Sequence, residues 1–251
     1  MAVNHPELIY CANGNARFAE IAINHGFTYG AQLPGTVYFH PEFVDQDWKK
    51  PDREKYMLLL SEYKPRIATV LDYERTEQEQ EVFDWAEEAA QHVAEAIIII
   101  PKAFGTIDRI PRKIGGKEVR LGYSVPTKHG GTPLSPDKFG DRRVHLLGGS
   151  PQAQRKFSKY MNVVSLDANM HQKLAAAYCC FFDPIKQTSR GFWPYLMAFD
   201  GKKWGDGSNK ADAPYEAFRR SCLNIRSFWW GGEFIIIERN NQPTQLSFSF
   251  L

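Results

Sequence analysis

The chain has 251 residues, 43% of them apolar and 24% charged, with a formal net charge of +2 and a mean hydropathy of −0.43. That length and composition fit one large domain, or one domain with an appendage, and exclude disorder over most of the chain. Ala96-Ile97-Ile98-Ile99-Ile100 is the longest apolar stretch, far short of the roughly 20 residues that cross a bilayer, and no basic-then-apolar leader opens the sequence; the expectation is a cytoplasmic protein with no membrane partner.

In chain order, Leu8-Ile9-Tyr10-Cys11-Ala12 reads as a strand, followed by Asn13-Gly14-Asn15 and a helix over 15–25. A strand over 28–32 comes next, then a short β-prone run, Thr36-Val37-Tyr38-Phe39, and a helix over 52–63. Arg66-Ile67-Ala68-Thr69-Val70-Leu71-Asp72 is a strand ending in a carboxylate. The helix over 76–93 shows the clearest pattern: Val82, Trp85, Ala86, Ala89, Ala90 and Val93 form one apolar stripe, with glutamates opposite and in the first turn. Strands over 96–101, 120–125, 143–148 and 163–167 and helices over 151–161, 168–180 and 213–228 complete the series.

Such β–α alternation predicts an α/β fold with a parallel sheet. Seven strands, with 36–39 as an eighth, predict a TIM-like (β/α)8 barrel, irregular near that run. Residues 1–182 form the barrel that carries the site, and 183–251 a basic, aromatic segment packed on it. Charge is uneven: residues 1–125 hold 14 Lys and Arg against 19 Asp and Glu, whereas 126–251 hold 17 against 10. The second half therefore suits a phosphate-bearing partner, or is a solvated surface of uneven charge.

Barrel chemistry collects at the C-terminal ends of the strands. Asp167 ends Val163-Val164-Ser165-Leu166, and Asp72 ends its own strand with Glu74 beside it. Either aspartate is also a natural helix N-cap. Two carboxylates facing one pocket are the minimal kit for glycosidic cleavage, one at the anomeric carbon and one handling a proton. Lys102 follows a buried apolar run, so its ammonium belongs at the mouth.

Gly148-Gly149-Ser150-Pro151 joins a strand to a helix, where backbone N–H groups can approach a base or a phosphate, or simply make a tight turn. His145, within a strand, reads as a core histidine. Lys128 and His129 sit on a cationic loop; with Arg155, Lys173, Arg219 and Arg220 they are the candidates for a nucleic-acid backbone. Lys202, Lys203, Lys210 and Arg226, interleaved with Trp193, Trp204, Trp229 and Trp230, strengthen that reading, although an amphipathic helix with solvated cations explains part of the pattern. Cys11, Cys179, Cys180 and Cys222 show no zinc spacing and read as reduced thiols; no metal or cofactor is expected.

Arg143-Val144-His145-Leu146-Leu147-Gly148-Gly149-Ser150-Pro151, with Asp167 following His145 by 22 residues, resembles the tRNA-guanine transglycosylase superfamily, in which a strand from His to Gly-x-Gly-Thr-Pro precedes the strand of the nucleophilic Asp. The resemblance covers 8–180 and implies Asp167 as nucleophile. It implies that Asp72 holds the base, and that the strand with Gly122 and Tyr123 contacts the base alongside Gly148 and Gly149. The chain departs from the family where Asn13-Gly14-Asn15-Ala16-Arg17 replaces Asp-Ser-Gly-Gly, so Asn13 and Asn15 become base-binding candidates. Lys102 replaces a base-reading Gln, and the zinc cluster is missing. These departures resemble the DNA-directed branch, which installs 7-deazaguanines, or a base-removing relative. The implied function is cleavage of the N-glycosidic bond of a flipped-out, modified base in DNA, by exchange or by excision. A tRNA-directed transglycosylase, a non-catalytic nucleic-acid-binding barrel, and a barrel acting on a small sugar or nucleotide are the alternatives.

Overall fold

Eight short strands run parallel and close on themselves: β1 (Glu7–Cys11), β2 (Thr28–Leu33), β3 (Phe43–Gln46), β4 (Ile67–Thr69), β5 (Ala96–Ile99), β7 (Lys117–Ser124), β8 (Arg143–Leu147) and β9 (Asn162–Asp167). Each pairs with its successor; β5 pairs with β7, and β9 returns to β1. The two-residue β6 (Lys113–Ile114) hangs antiparallel on β7. This is a closed TIM-type barrel, seen in a computed structural model that describes residues 5–12, 14–128, 130–185, 191–195, 211–237 and 243–248.

The helical layer is incomplete. α1 (Ala16–Asn24) follows β1, α2 (Arg53–Tyr63) β3, α3 (Glu79–Ala90) β4, α4 (Pro151–Phe157) β8 and α5 (Met170–Tyr178) β9. Among the described residues no α-helix follows β2, β5 or β7; 3-10 turns at Ile107–Arg109 and Pro136–Phe139 stand after the last two. α6 (Ala213–Trp230) packs against α1 and α5. Near its start Asp212 pairs with Arg17 at 2.7 Å, and at its end the Trp230 indole donates to the Pro6 carbonyl at 3.0 Å. It thus runs antiparallel to the strands, as barrel helices do, and Phe218, Cys222, Ile225 and Trp229 join the core outside the barrel wall. Two small hairpins flank it: β10 (Cys180–Phe182) with β11 (Phe192–Pro194), and β12 (Gly232–Ile237) with β13 (Pro243–Phe248).

The eighth strand is not the one expected. The run at 36–39 is loop, and the strand lies at Phe43–Gln46. Tyr38 is held by side-chain bonds instead of a ladder: its N–H donates to the Tyr29 hydroxyl at 2.9 Å, and its own hydroxyl donates to the Gly14 carbonyl at 2.7 Å. Phe43–Gln46 finds ladder partners on both sides, β2 and β4. Backbone pairing on two edges outweighs the local β-propensity of the earlier run.

Alternation along each strand separates two apolar clusters. Ile9, Cys11, Phe43, Ile67, Ala96, Ile98 and Ile100 fill the barrel, while Leu8, Tyr10, Val44, Ala68, Ile97 and Ile99 face the helices. Gly122 belongs to the filled interior and not to a ligand surface: a Cβ there would come within 2.4 Å of Ile100 and 3.0 Å of Leu147. Gly122→Ala should therefore cost about 1–3 kcal/mol through overpacking, read as a lower urea midpoint with an unchanged slope; an unshifted midpoint would show that the interior has room to spare.

At the N-terminal mouth the strands start in charge. Arg66 pairs with Glu7, Glu42 and Glu95, Arg120 with Glu95 and Glu118, and Arg143 with Glu118. This network plugs the end of the barrel opposite the one where chemistry is expected. No helix among the described residues is long and apolar enough to cross a membrane.

Candidate active site

Asp167 is the last residue of β9 and caps no helix, since α5 begins at Met170 with Asn169 at its cap position. Its Oδ1 lies 3.3 Å from Nε2 of His145, the residue two before the end of β8. His145 is fully buried; its Nδ1 is 2.9 Å from the Ser165 hydroxyl and its ring stacks on Phe43 with centroids 5.1 Å apart. The core histidine of the sequence reading is therefore also the group that holds Asp167. Gln154 locks the two strand ends together by donating its amide to the Gly148 and Asp167 carbonyls, each at 2.8 Å, and Gly148 N–H donates to the Asp167 carbonyl at 3.0 Å.

Gly148 and Gly149 have φ of 64° and 81°, a backbone that glycine adopts without strain. They form the turn between β8 and α4, whose N-cap is the Ser150 hydroxyl. The tight-turn explanation covers them.

Asp45 does not stand out in the sequence, because the β-prone run at 36–39 masks the strand that carries it. It shares the inward face of β3 with Phe43 and accepts a 2.8 Å bond from the Thr69 hydroxyl. Burial pushes its pKa up to about 8, helped by the charges of Asp167 and Asp72 and opposed by the Thr69 bond. Cys11, inside the barrel on β1, has its thiol raised by burial and then by Asp45 and Asp167. The signal available in sequence was the alternation of Phe43-Val44-Asp45-Gln46, the same strand-end carboxylate pattern that singled out Asp72 and Asp167.

Asp72 caps no helix either; the next turn, Thr76–Gln78, starts beyond it. Its Oδ2 pairs with Lys102 Nζ at 2.5 Å, while Oδ1 is buried without a hydrogen-bond partner among the described residues. Burial raises its pKa in spite of the lysine. Lys102 also reaches Glu74 at 3.2 Å; burial pulls its pKa down, but Asp72 and Glu74 more than offset this. An open cleft of about 230 Å³ is lined by Gln32 and Leu33 at the end of β2, Pro34 and Gly35 just after it, and Asp47 just after β3.

Other expectations need correction. Asn15 is an N-cap: its side chain accepts from Phe18 N–H at 3.1 Å and donates to the Tyr215 hydroxyl at 3.0 Å. Tyr123 points out of the barrel, buried against Phe139 and Phe157, because it alternates with the inward Gly122. Arg220 is not available to a phosphate, being buried with its guanidinium bonded to Glu216 at 3.0 Å and placed 4.7 Å from the Tyr195 ring centroid.

Arg219 is clamped by both oxygens of the same Glu216, at 2.6 Å each. Arg155 lies against Trp229, 5.0 Å from the ring centroid, and burial lowers its pKa. These three arginines stand on the outer helices, away from the strand-end carboxylates. Lys128, in the turn after β7, and Lys173, on α5, are exposed. Asn13, His129, Lys202, Lys203, Trp204 and Lys210 lie outside the described residues.

Of the four cysteines, Cys11 and Cys222 are buried and Cys179 and Cys180 half-buried. Among the described residues no group of three or more His, Cys, Asp or Glu side chains is arranged to hold a metal.

Residues 22–230 match a family described as a family of unknown function (DUF6610). No curated protein matches the chain. Among solved structures, monomers generated from the dimeric phosphoribosylanthranilate isomerase of Thermotoga maritima align at 10% identity over 89% of this chain and 98% of that one, with a TM-score of 0.36.

Proposed function

We propose, for a chain that belongs to the family of unknown function DUF6610, that the C-terminal mouth of the barrel cleaves the N-glycosidic bond of a base flipped out of DNA. The observation that carries this reading is one mouth with three carboxylates in three electrostatic settings. Asp45 is raised to about 8, Asp72 is tied to a lysine, and Asp167 is held by a buried histidine. Carboxylates whose environments set them apart are how a site divides acid work from nucleophilic work. Asp45 takes the place of the proton-handling carboxylate for which 13–17 offers no candidate.

In this reading the C1′–N bond breaks as Asp45 gives its proton to the departing base, and Asp167 bonds to C1′ or stabilises the cation there. Asp72 and Lys102 orient the base. Water then attacks C1′, any bond to Asp167 breaks to restore its carboxylate, and the water's proton returns to Asp45, which is excision; alternatively an incoming base displaces Asp167 in the same way and loses its own proton to Asp45, which is exchange. A smaller substrate, a nucleoside or nucleotide, is the second reading. It is favoured by the internal pairing of Arg219 and Arg220 and by the position of Arg155 on the barrel's flank.

The test is mass spectrometry of small molecules released from plain DNA, base-modified DNA, tRNA and free nucleosides, each with and without added 7-deazaguanine. Base release from DNA is expected, with Asp167→Asn slowing it by roughly a thousandfold or more. Release from nucleosides alone selects the second reading. Full activity in Asp167→Asn, or salt-sensitive binding with no release from any substrate, overturns the assignment.

A further inference from the structure

Trp48 lies in the loop after β3, three residues beyond Asp45, and is 54% exposed, whereas Trp85 and Trp229 are 4% and 3% exposed. Two ammonium groups lie near its indole: Lys49 Nζ at 5.4 Å and Lys102 Nζ at 6.0 Å from the ring centroid. Lys102 is the same side chain that pairs with Asp72 at 2.5 Å, so one cation ties the indole to the carboxylate site. Two residues past Lys102, Phe104 is 79% exposed. The loops after β3, β4 and β5 are neighbours around the barrel, which places Trp48, Asp72 and the Lys102–Phe104 segment in one sector of the mouth.

We propose that Trp48, with Lys49, Lys50 and Lys102, is a stacking platform for the nucleotide adjoining the one held in the barrel, an unstacked base together with its phosphate. The proposal rests on the glycosidic reading and, of its two substrates, favours a polynucleotide strand over a free nucleoside. An indole face stacks any base, and cations beside it meet the charge that accompanies a base in a strand. Asp47 does not oppose this: its carboxylate is engaged within its own loop, accepting from the Lys49 N–H at 3.1 Å. Glu74 already occupies Lys102, so the phosphate lies on the Lys49–Lys50 side. Both of those lysines are exposed.

The experiment measures fluorescence anisotropy of a labelled short single-stranded oligodeoxynucleotide, and equilibrium binding of a mononucleotide, on the full-length chain carrying Asp167→Asn so that no turnover intervenes. Adding Trp48→Ala should weaken oligonucleotide binding about tenfold while leaving mononucleotide binding unchanged; Trp48→Phe should restore most of the loss. Lys49→Gln with Lys50→Gln should flatten the salt dependence, which a purely structural Trp48 would not do. Equal oligonucleotide affinity with and without the indole overturns the platform, as does mononucleotide binding without oligonucleotide binding. Base release from the unmodified chain is scored separately: Trp48-dependent binding with no release defeats the glycosidic reading and keeps the platform, and release indifferent to Trp48 does the reverse.

Discussion

Asp45→Asn is expected to abolish base release while raising thermal stability, by a margin that widens as pH rises from 5 to 8 and is level above that. Burial holds the folded-state pKa of Asp45 at about 8, against an ordinary aspartate value of 3.8. Between those values the folded chain keeps a proton that the unfolded chain has released, so folding stability falls as pH rises through the window. Asparagine has nothing to ionise and escapes that loss. The slope has an upper bound of about 1.4 kcal/mol per pH unit.

Asp45 keeps part of its surface at the open mouth, and its charge is coupled to Asp167 and Asp72. The realised gain is therefore about 1–2 kcal/mol, or roughly 2–8 °C for a chain of this size. Calorimetry of both proteins at several pH values checks it. A melting-temperature gap that does not change with pH would mean that Asp45 is ionised in the folded state at neutrality, and it would remove the general acid from the mechanism. The rate of base release by the unsubstituted chain should correspondingly fall above about pH 8, where the acid ionises.

The second large effect is at the other end of the barrel. Arg120→Ala should destabilise the fold by about 3–5 kcal/mol, lowering the melting temperature by roughly 10 °C, without changing base release measured well below that temperature. The Arg120 side chain is 2% exposed and joins Glu95 to Glu118, the latter at 3.0 Å. Its removal leaves two glutamates that must rely on what remains, Arg66 at 2.5 Å from Glu95 and Arg143 at 2.8 Å from Glu118. Those partners are more exposed and place the loss towards the lower part of the range. Arg120→Lys should recover little, because a single ammonium cannot span two carboxylates as a planar guanidinium does. Loss of activity at low temperature, with the fold intact by circular dichroism, would show that the plug is coupled to the mouth.

All six expected helices are present, although the runs at 76–93, 151–161 and 168–180 are α-helical only over 79–90, 151–157 and 170–178. The apolar stripe from Val82 to Ala90 is a local signal, carried by side chains within a turn or two of each other, whereas the N-cap role of Asn15 emerged only with the structure. Seven strands were legible because each is a short β-branched run bounded by turn residues. The eighth was misplaced because Thr36–Phe39 and Phe43–Gln46 look alike locally and differ only in whether neighbouring strands are there to pair with them.

The site divides the same way. Asp167 and Asp72 could be read from the chain as strand-end carboxylates, and their alternative as helix caps fell only when the helices were seen to start farther on. Asp45 could not be ranked, since what distinguishes it is burial beside two other carboxylates drawn from strands more than 20 residues away in sequence. Arg219 and Arg220 misled for the complementary reason: a basic run advertises phosphate, but Glu216, three and four residues earlier on the same helix, claims both guanidinium groups.

By itself the sequence determined the α/β class, the barrel's repeating unit and the two carboxylates at strand ends, all of which rest on periodicity and nearest-neighbour chemistry. Only the tertiary structure decided which run became β3, which of Gly122 and Tyr123 faced the interior, and which cations stayed available. Those choices depend on strand register and on competition for buried partners, and both are set by residues distant along the chain.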